Sequence, residues 1–143
     1  MLSSNLNILN QWIKYYWKTI ASFCVILILS TIQISTVPKV SLFHWLYFDK
    51  VVHFILYFTL ANVWFIDVYK KNLDVKTAIL YKISIGSILY GILMEIVQKT
   101  LVQNRSADVF DALANTIGII VALLLLRYSF WYRNKMYKFL MLF

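Results

Sequence analysis

Charged residues, glycine and proline are all scarce in this 143-residue sequence, and each shortage excludes a class of protein. Only 14% of the residues are charged and 62% are hydrophobic, whereas a soluble domain carries about 25% charged residues. A chain this short cannot bury so much apolar surface, because small domains keep a large fraction of their surface exposed. The excess must face lipid. Three glycines and one proline indicate long helices joined by short loops.

Cysteine and strand-like alternation are also nearly missing. Cys24 stands alone in an apolar run, so the chain cannot form an intrachain disulfide or a thiolate metal site. We expect Cys24 to be a small buried hydrophobic residue. No stretch alternates between polar and apolar residues as the strands of a membrane barrel do, which leaves helices as the spanning elements.

Four apolar runs are long enough to cross a membrane as helices. Each holds about 20 residues, the length that spans ~30 Å of hydrocarbon at the rise of an α-helix. The sequence therefore predicts an all-α integral membrane protein, a four-helix transmembrane bundle formed by a single domain over residues 1–143. The predicted helices lie at about 17–37, 51–69, 78–98 and 109–130.

Both ends of the chain carry basic residues beside apolar ones. Lys14 and Lys18 precede the first run as in a signal peptide, but the run is long and no A-x-A site follows, so we expect an uncleaved helix. The tail at residues 131–143 is basic and aromatic, which favours a strip lying on an anionic leaflet over a nucleic-acid arm. We therefore expect the lipid bilayer as a partner, and no nucleic acid.

The basic residues are distributed unequally between the two sides of the predicted bundle. Ten lie in the N-terminal tail, the middle loop with its flank and the C-terminal tail, which share one side of a four-helix protein. The other two loops, residues 38–50 and 99–108, hold four. Because basic residues accumulate on the cytoplasmic side, we predict that both termini are cytoplasmic and those two loops outside. This describes a multi-pass protein of the bacterial cytoplasmic membrane.

Ionisable and amide side chains gather near the predicted outer ends of helices two, three and four. Within each helix they recur at spacings that place them on one face. At ~1.5 Å per residue, His53, Glu95 and Asp111 lie within about 10 Å of one membrane boundary. The sequence therefore predicts a polar pocket open to the outside. Its candidate ligand-binding residues are Asp49, Lys50, His53, Tyr57, Glu95, Gln98, Arg105, Asp108, Asp111 and Asn115.

Glu95 is the centre of this predicted pocket, because it is the one carboxylate among these candidates that apolar helix flanks on both sides. A charge at mid-bilayer costs ~2.5–3.5 kcal/mol on insertion scales, and the smaller cost nearer the interface still calls for partners. Lys50, His53 and Arg105 can supply them. An ionisable residue inside a membrane is by default a candidate functional site.

Simpler interpretations of the same residues stay open. Asp49 with Lys50, and Arg105 with Asp108, have the spacing of ordinary interfacial ion pairs, which stabilise little when exposed. Asp108 also fits a helix N-cap, and Asp111 fits a first-turn acid favoured by the helix dipole. Each of these roles would be structural.

The motifs at these positions resemble the VanZ-like family of small bacterial membrane proteins. The resemblance is carried by D-K-x-x-H at 49–53, E-x-x-Q at 95–98 and R-x-x-D-x-x-D-x-x-x-N at 105–115, in that order, and extends from about Asp49 to Gly118. The family is named for a member linked to teicoplanin resistance. The resemblance therefore implies a role at the cell envelope, outside the cytoplasmic membrane, and no particular reaction.

Two functions fit this pocket best. In the first, the pocket binds or shields a lipid-linked cell-wall precursor or a phospholipid head group, with resistance to teicoplanin-type glycopeptides implied by the resemblance. In the second, an intramembrane hydrolase or transferase uses His53, Glu95 and Asp111 as catalytic groups or as holders of a divalent metal. No zinc signature such as H-E-x-x-H is present, so we assign no metal ligands and no cofactor. A transport path is disfavoured, because the polar residues occupy one half of the bundle.

Overall fold

Four α-helices make up the described part of the chain. The computed structural model describes residues 2–31, 42–71, 77–101 and 108–140, with side chains described for 9–31, 48–71, 77–101 and 108–129. The helices are α1 (Leu2–Thr31), α2 (Leu42–Lys71), α3 (Ala78–Leu101) and α4 (Val109–Leu140). Each contains a stretch of 21 to 24 residues apolar enough to cross a membrane. With no strand among the described residues, the predicted all-α transmembrane bundle is confirmed.

All four helices are longer than the apolar runs that predicted them, α3 by three residues at its end and the other three by more. α1 begins at Leu2 instead of 17, α2 begins at Leu42 instead of 51, and α4 continues to Leu140 instead of 130. Apolar composition marks the segment that must lie in hydrocarbon, whereas helical hydrogen bonding continues into the membrane interface. The predicted end of the first helix, residues 32–37, lies outside the described residues.

Successive helices run antiparallel, and α2 lies at the centre of the bundle. It contacts each of the other three helices, most extensively α4, whereas α1 contacts only α2 and α3 within the described ranges. Lys50, near the start of the membrane-spanning stretch Phe48–Lys71 of α2, meets Asp108 at the start of α4, so these two helices run parallel. We refer to the end of the bundle that contains Lys50 and Asp108 as the site end.

The interior of the bundle is as polar as it is apolar, with ten buried residues of each kind among the described side chains, whereas its outer surface is rich in large apolar side chains. Large apolar side chains on the outer faces are exposed, as expected for a surface that contacts lipid. Cys24 lies on this outer surface of α1, so the expectation of a buried cysteine is wrong. A thiol tolerates a lipid contact because it is only weakly polar. The main core cluster consists of Ile26, Tyr57, Leu60, Met94 and Ile119, one or two from each helix, and a second of Phe65, Leu80 and Ile83.

Gly118 brings α4 into backbone contact with α2. A Cβ atom at Gly118 would overlap the carbonyl oxygen of Phe54 and lie 3.1 Å from the amide nitrogen of Phe58. Small residues permit such close approach between membrane helices. Asn115 lies three residues earlier on the same face of α4, so this contact also holds the Asn115 side chain beside α2.

One buried carboxylate lies far from the site end, about 25 Å along α2 from Lys50 at the rise of an α-helix. Asp67 is 2% exposed, and its Oδ2 accepts hydrogen bonds from the backbone N–H of Thr19 at 3.0 Å and from the Thr19 hydroxyl at 2.8 Å. These bonds join α2 to α1. In the sequence Asp67 stands at the end of an apolar run, three residues before Lys70, where an interfacial charge is ordinary and gives no sign of this contact.

Gly118→Ala should destabilise the bundle, because the added methyl group forces α4 away from the α2 backbone. Overpacking of this kind costs about 1–3 kcal/mol. The free energy of unfolding in detergent micelles, measured by denaturant titration, checks this. Gly86→Ala is the matched control, since its Cβ would meet the Trp64 ring at 2.8 Å and a side chain can move where a backbone cannot. Equal losses in the two variants would contradict the backbone contact as the cause.

Thr19→Val should lower the free energy of unfolding by about 1.5–3 kcal/mol, the worth of a hydrogen bond to a charged group. Valine has the shape of threonine but leaves the buried Asp67 carboxylate without the hydroxyl donor. The same titration in micelles measures the loss. Thr31→Val is the control, because the Thr31 hydroxyl donates within its own helix to the carbonyl oxygen of Leu27. An unchanged unfolding curve for Thr19→Val would show that the bond to Asp67 does not hold α1 on α2.

Candidate functional site

Polar side chains from α2 and α4 meet at the site end in one ion-paired and hydrogen-bonded group. The sequence brings them together because α2 and α4 are parallel and their membrane-spanning stretches both begin there. Three residues within about one turn of α2, and a stripe on α4, therefore face each other at one level of the bundle. We call this group the polar cluster. Its members are Asp49, Lys50, His53, Asp108, Asp111 and Asn115.

Lys50 is the charged link between the two helices. Its Nζ donates to Oδ2 of Asp108 and to Oδ1 of Asp111. The Asp111 side chain is only 5% exposed, so its charge is paired inside the protein. Leaving such a buried charge without its partner costs about 3–5 kcal/mol. The contact therefore fixes how α2 and α4 stand relative to each other at the site end.

Asp108 performs two tasks with its two oxygens. Its Oδ1 accepts the backbone N–H of Phe110 at 2.8 Å, which caps the start of α4, while its Oδ2 accepts from Lys50. The Lys50 ammonium, with help from the Phe110 N–H, holds the pKa of Asp108 below its usual value. The ion pair is therefore present above the ordinary pKa of an aspartate and is lost as the pH falls through the lowered one.

His53 is held in one orientation by Asn115. Its Nδ1 lies 3.0 Å from Oδ1 of Asn115, and an amide oxygen can only accept, so Nδ1 carries the proton. In the neutral imidazole the lone pair is then on Nε2. This nitrogen faces Oδ1 of Asp49 at 3.8 Å and Oδ2 of Asp111 at 3.9 Å, both too long for hydrogen bonds.

Helix α3 contributes the third wall beside the polar cluster. Glu95 is 7% exposed and Gln98 1%, so both predicted site residues are buried in the bundle. One turn before Glu95, a Cβ at Gly91 would lie 3.2 Å from the ring of Tyr57 and 3.6 Å from Cβ of Asn115. The backbone of α3 thus lies against both of those side chains, and Glu95 projects from the same face nearer the site end.

The polar cluster has a partly exposed rim and a buried floor. The side chains of Asp49, Lys50 and Asp108 are 33%, 22% and 32% exposed, whereas those of His53 and Asp111 are 8% and 5% exposed. A group arriving at the end of the bundle would meet the rim before the imidazole. This gradient distinguishes the cluster from a fully internal ion pair.

Nine of the ten predicted site residues are described by the structure, and they fall into two groups. Six form the polar cluster, and Tyr57, Glu95 and Gln98 are buried beside it on α2 and α3. Arg105 lies outside the described residues. Of the three catalytic candidates, His53 and Asp111 face each other. Asp49, His53 and Asp111 each offer one potential ligand atom for a metal ion, and these atoms lie within 4.8 Å of one another. Glu95 is not part of this group of described residues.

The pairing across α2 and α4 could not be read from spacing along the chain. The sequence offered Asp49 and Arg105 as the neighbours of Lys50 and Asp108, whereas Lys50 and Asp108 contact each other over a separation of 58 residues. The relevant feature of the sequence is that the predicted second and fourth helices begin at the same membrane boundary. This feature indicates that their first polar residues lie near each other, but it does not identify which side chains form bonds.

Comparison with known proteins agrees with the arrangement of these motifs. No curated protein and no solved structure matches the chain. The family model described as VanZ/LLP1 matches residues 2–132, which includes all four membrane-spanning stretches and every member of the polar cluster. This confirms the resemblance seen in the sequence motifs. The chain is a membrane protein of the VanZ/LLP1 family.

Proposed function

We propose that the polar cluster binds the head group of an envelope lipid, and specifically of a lipid-linked cell-wall precursor. The observation that carries this proposal is the exposed rim over a buried floor at the end of a membrane bundle. His53 is only three residues beyond Lys50 on α2, or ~5 Å along the helix axis. A site this close to the end of a membrane-spanning stretch suits a ligand whose lipid tail stays in the bilayer.

The donors and acceptors of the site suit a head group with phosphate, sugar and peptide parts. An ammonium has three N–H donors, and Asp108 and Asp111 engage Lys50, which leaves a donor for a ligand oxygen. Arg105 stands three residues before Asp108 in the sequence and would add a fork of donors for phosphate. Asp49 at the rim and Gln98 would orient hydroxyl or amine groups of the ligand.

This proposal would explain resistance to glycopeptides, because a bound precursor is less accessible to the antibiotic. A precursor held at the outer end of the bundle would present less of its peptide to an antibiotic of the teicoplanin type. The family name and the predicted outward orientation support this role. The site would act in the outer leaflet of the bacterial cytoplasmic membrane.

A second candidate is an intramembrane enzyme that acts on the same lipid. The observation that favours it is the orientation of His53, whose Nε2 lone pair faces two carboxylates while Nδ1 is held by Asn115. An imidazole fixed in this way can act as a general base. Binding and catalysis are separated by the product, because a shielding protein returns the lipid intact and a hydrolase or transferase does not.

Lys50→Met should weaken binding of a purified lipid-linked precursor by about 10- to 100-fold, the loss expected for one charge-assisted hydrogen bond. Affinity is measured on the full-length protein in nanodiscs, and mass spectrometry of the recovered lipid distinguishes binding from turnover. Lys82→Met is the matched control, because Lys82 is exposed on α3 near the opposite end. Lys50→Arg, which keeps the charge, separates lost binding from lost folding.

Cells that express these variants give the second measurement. We expect the wild-type and Lys82→Met proteins to raise the glycopeptide concentration that inhibits growth, and Lys50→Met to lose that effect. If Lys50→Met binds the precursor as tightly as Lys82→Met, the polar cluster is not the head-group site. If no variant changes glycopeptide susceptibility, the proposed resistance role is wrong for this protein.

The orientation of the site is tested by labelling at the two ends of α3. In a Cys24→Ser background, Thr100→Cys places a thiol at an exposed position of the site end, and Thr77→Cys places one at an exposed position of the other end. A membrane-impermeant maleimide added to intact cells should label the variant at 100 and not the variant at 77. The reverse pattern would put the polar cluster on the cytoplasmic side and exclude a role in the outer leaflet.

A further inference from the structure

We propose that Asp49, His53 and Asp111 together bind one divalent transition-metal cation, of the Zn²⁺ or Mn²⁺ class. Each residue offers one ligand atom, and these atoms lie within 4.8 Å of one another. The three residues come from α2 and α4, so the ion would sit between the two helices at the floor of the polar cluster. Neither the sequence motifs nor the family assignment specifies such a site.

The distances around His53 suit a shared ion better than direct pairing. Ligand atoms about 2.1 Å from one ion are ~3.4 Å apart in a tetrahedral arrangement and at most ~4.2 Å apart. Nε2 of His53 lies 3.8 Å from Oδ1 of Asp49 and 3.9 Å from Oδ2 of Asp111. Both separations exceed a hydrogen bond and fall within the range that one ion can bridge. The ligand oxygens of Asp49 and Asp111 lie within 4.8 Å of each other, and binding of the ion would draw the two carboxylates together.

The neighbours of the ligands are arranged as a metal site requires. A metal-binding histidine usually donates its second ring N–H to an oxygen, which fixes the ring and its tautomer. Nδ1 of His53 donates to Oδ1 of Asn115, which leaves the Nε2 lone pair toward the two carboxylates. Asp111 is fixed in the same manner, because its Oδ1 accepts from Lys50 while its Oδ2 faces His53.

The chemistry of the ligands also suits a cation. Asp49 and Asp111 each offer a carboxylate oxygen, and His53 offers an imidazole nitrogen. A mixed set of imidazole and carboxylate ligands suits zinc and manganese.

The ion would also account for how a site rich in carboxylates accepts phosphate. Three protein ligands leave at least one coordination position for a ligand oxygen, as in metal sites that act on substrates. A phosphate oxygen bound there would meet the positive charge of the ion. This last step rests on the proposed head-group function, whereas the cation site itself does not.

Metal binding to the full-length protein in detergent micelles, with no lipid-linked precursor added, tests the site. After chelator treatment and dialysis against Zn²⁺ or Mn²⁺, elemental analysis should find one ion per wild-type chain. His53→Gln and Asp49→Asn should lose the ion, and Asn115→Leu should weaken its affinity by about 10- to 100-fold, as changes to residues that orient metal ligands do. Gel filtration shows which variants remain folded.

Asp67→Asn is the matched control for Asp49→Asn. It is the same substitution on the same helix, it lies about 25 Å from the site end at the rise of an α-helix, and the side-chain oxygen of asparagine can still accept from Thr19. We expect it to keep one ion per chain. Pulsed electron paramagnetic resonance of the Mn²⁺-loaded wild-type protein gives a readout that needs no variant, because a directly bound imidazole shows nitrogen coupling.

Two results would overturn the cation site. One is a wild-type protein that retains less than a tenth of an ion per chain, and the other is bound Mn²⁺ without nitrogen coupling. Equal metal content in Asp49→Asn and Asp67→Asn would likewise remove Asp49 from the site. Because no lipid is present, these failures are distinct from a failure of the precursor-binding measurement, which would leave the cation site intact.

Discussion

The ion pair of Lys50 with Asp108 and Asp111 is the contact on which the rest of the site depends. It joins the starts of the membrane-spanning stretches of α2 and α4 inside a protein whose outer surface faces lipid. Separating such a pair costs about 3–5 kcal/mol, because a buried charge would remain without compensation. Gly118 complements it deeper in the bundle by letting the two backbones touch. Between these two points His53 and Asn115 have little freedom to move apart.

The sequence is sufficient to predict the four described helices and the end of the bundle at which polar residues of α2 and α4 meet. It does not predict which of these side chains pair with each other. The predicted bundle is confirmed, and α3 ends within three residues of its predicted end at 98. The bond between Lys50 and Asp108 spans 58 positions and depends on which helices are neighbours, which hydropathy does not encode. The ends of α1 and α4 differ for another reason, since helices continue past hydrocarbon into the interface.

Asp67 shows why a buried charge in a membrane helix does not by itself indicate a functional site. Its carboxylate is 2% exposed, and both donors that reach it belong to Thr19, so it closes the contact between α1 and α2. The polar cluster is organised in the opposite way. There the buried groups lie beneath Asp49, Lys50 and Asp108, whose side chains are a fifth to a third exposed. Access, more than burial or charge, separates the two sites.

The sign of the charge in the polar cluster limits what it can bind. The carboxylates of Asp49, Asp108 and Asp111 would repel a phosphate that approached them directly, because like charges repel strongly where water is scarce. A ligand must therefore bring or recruit positive charge, through an amine of its own, through Arg105 or through a bound cation. His53 favours the cation, since Asn115 turns its lone pair toward Asp49 and Asp111. In this arrangement the carboxylates that would repel a phosphate are the groups that hold the ion to which it binds.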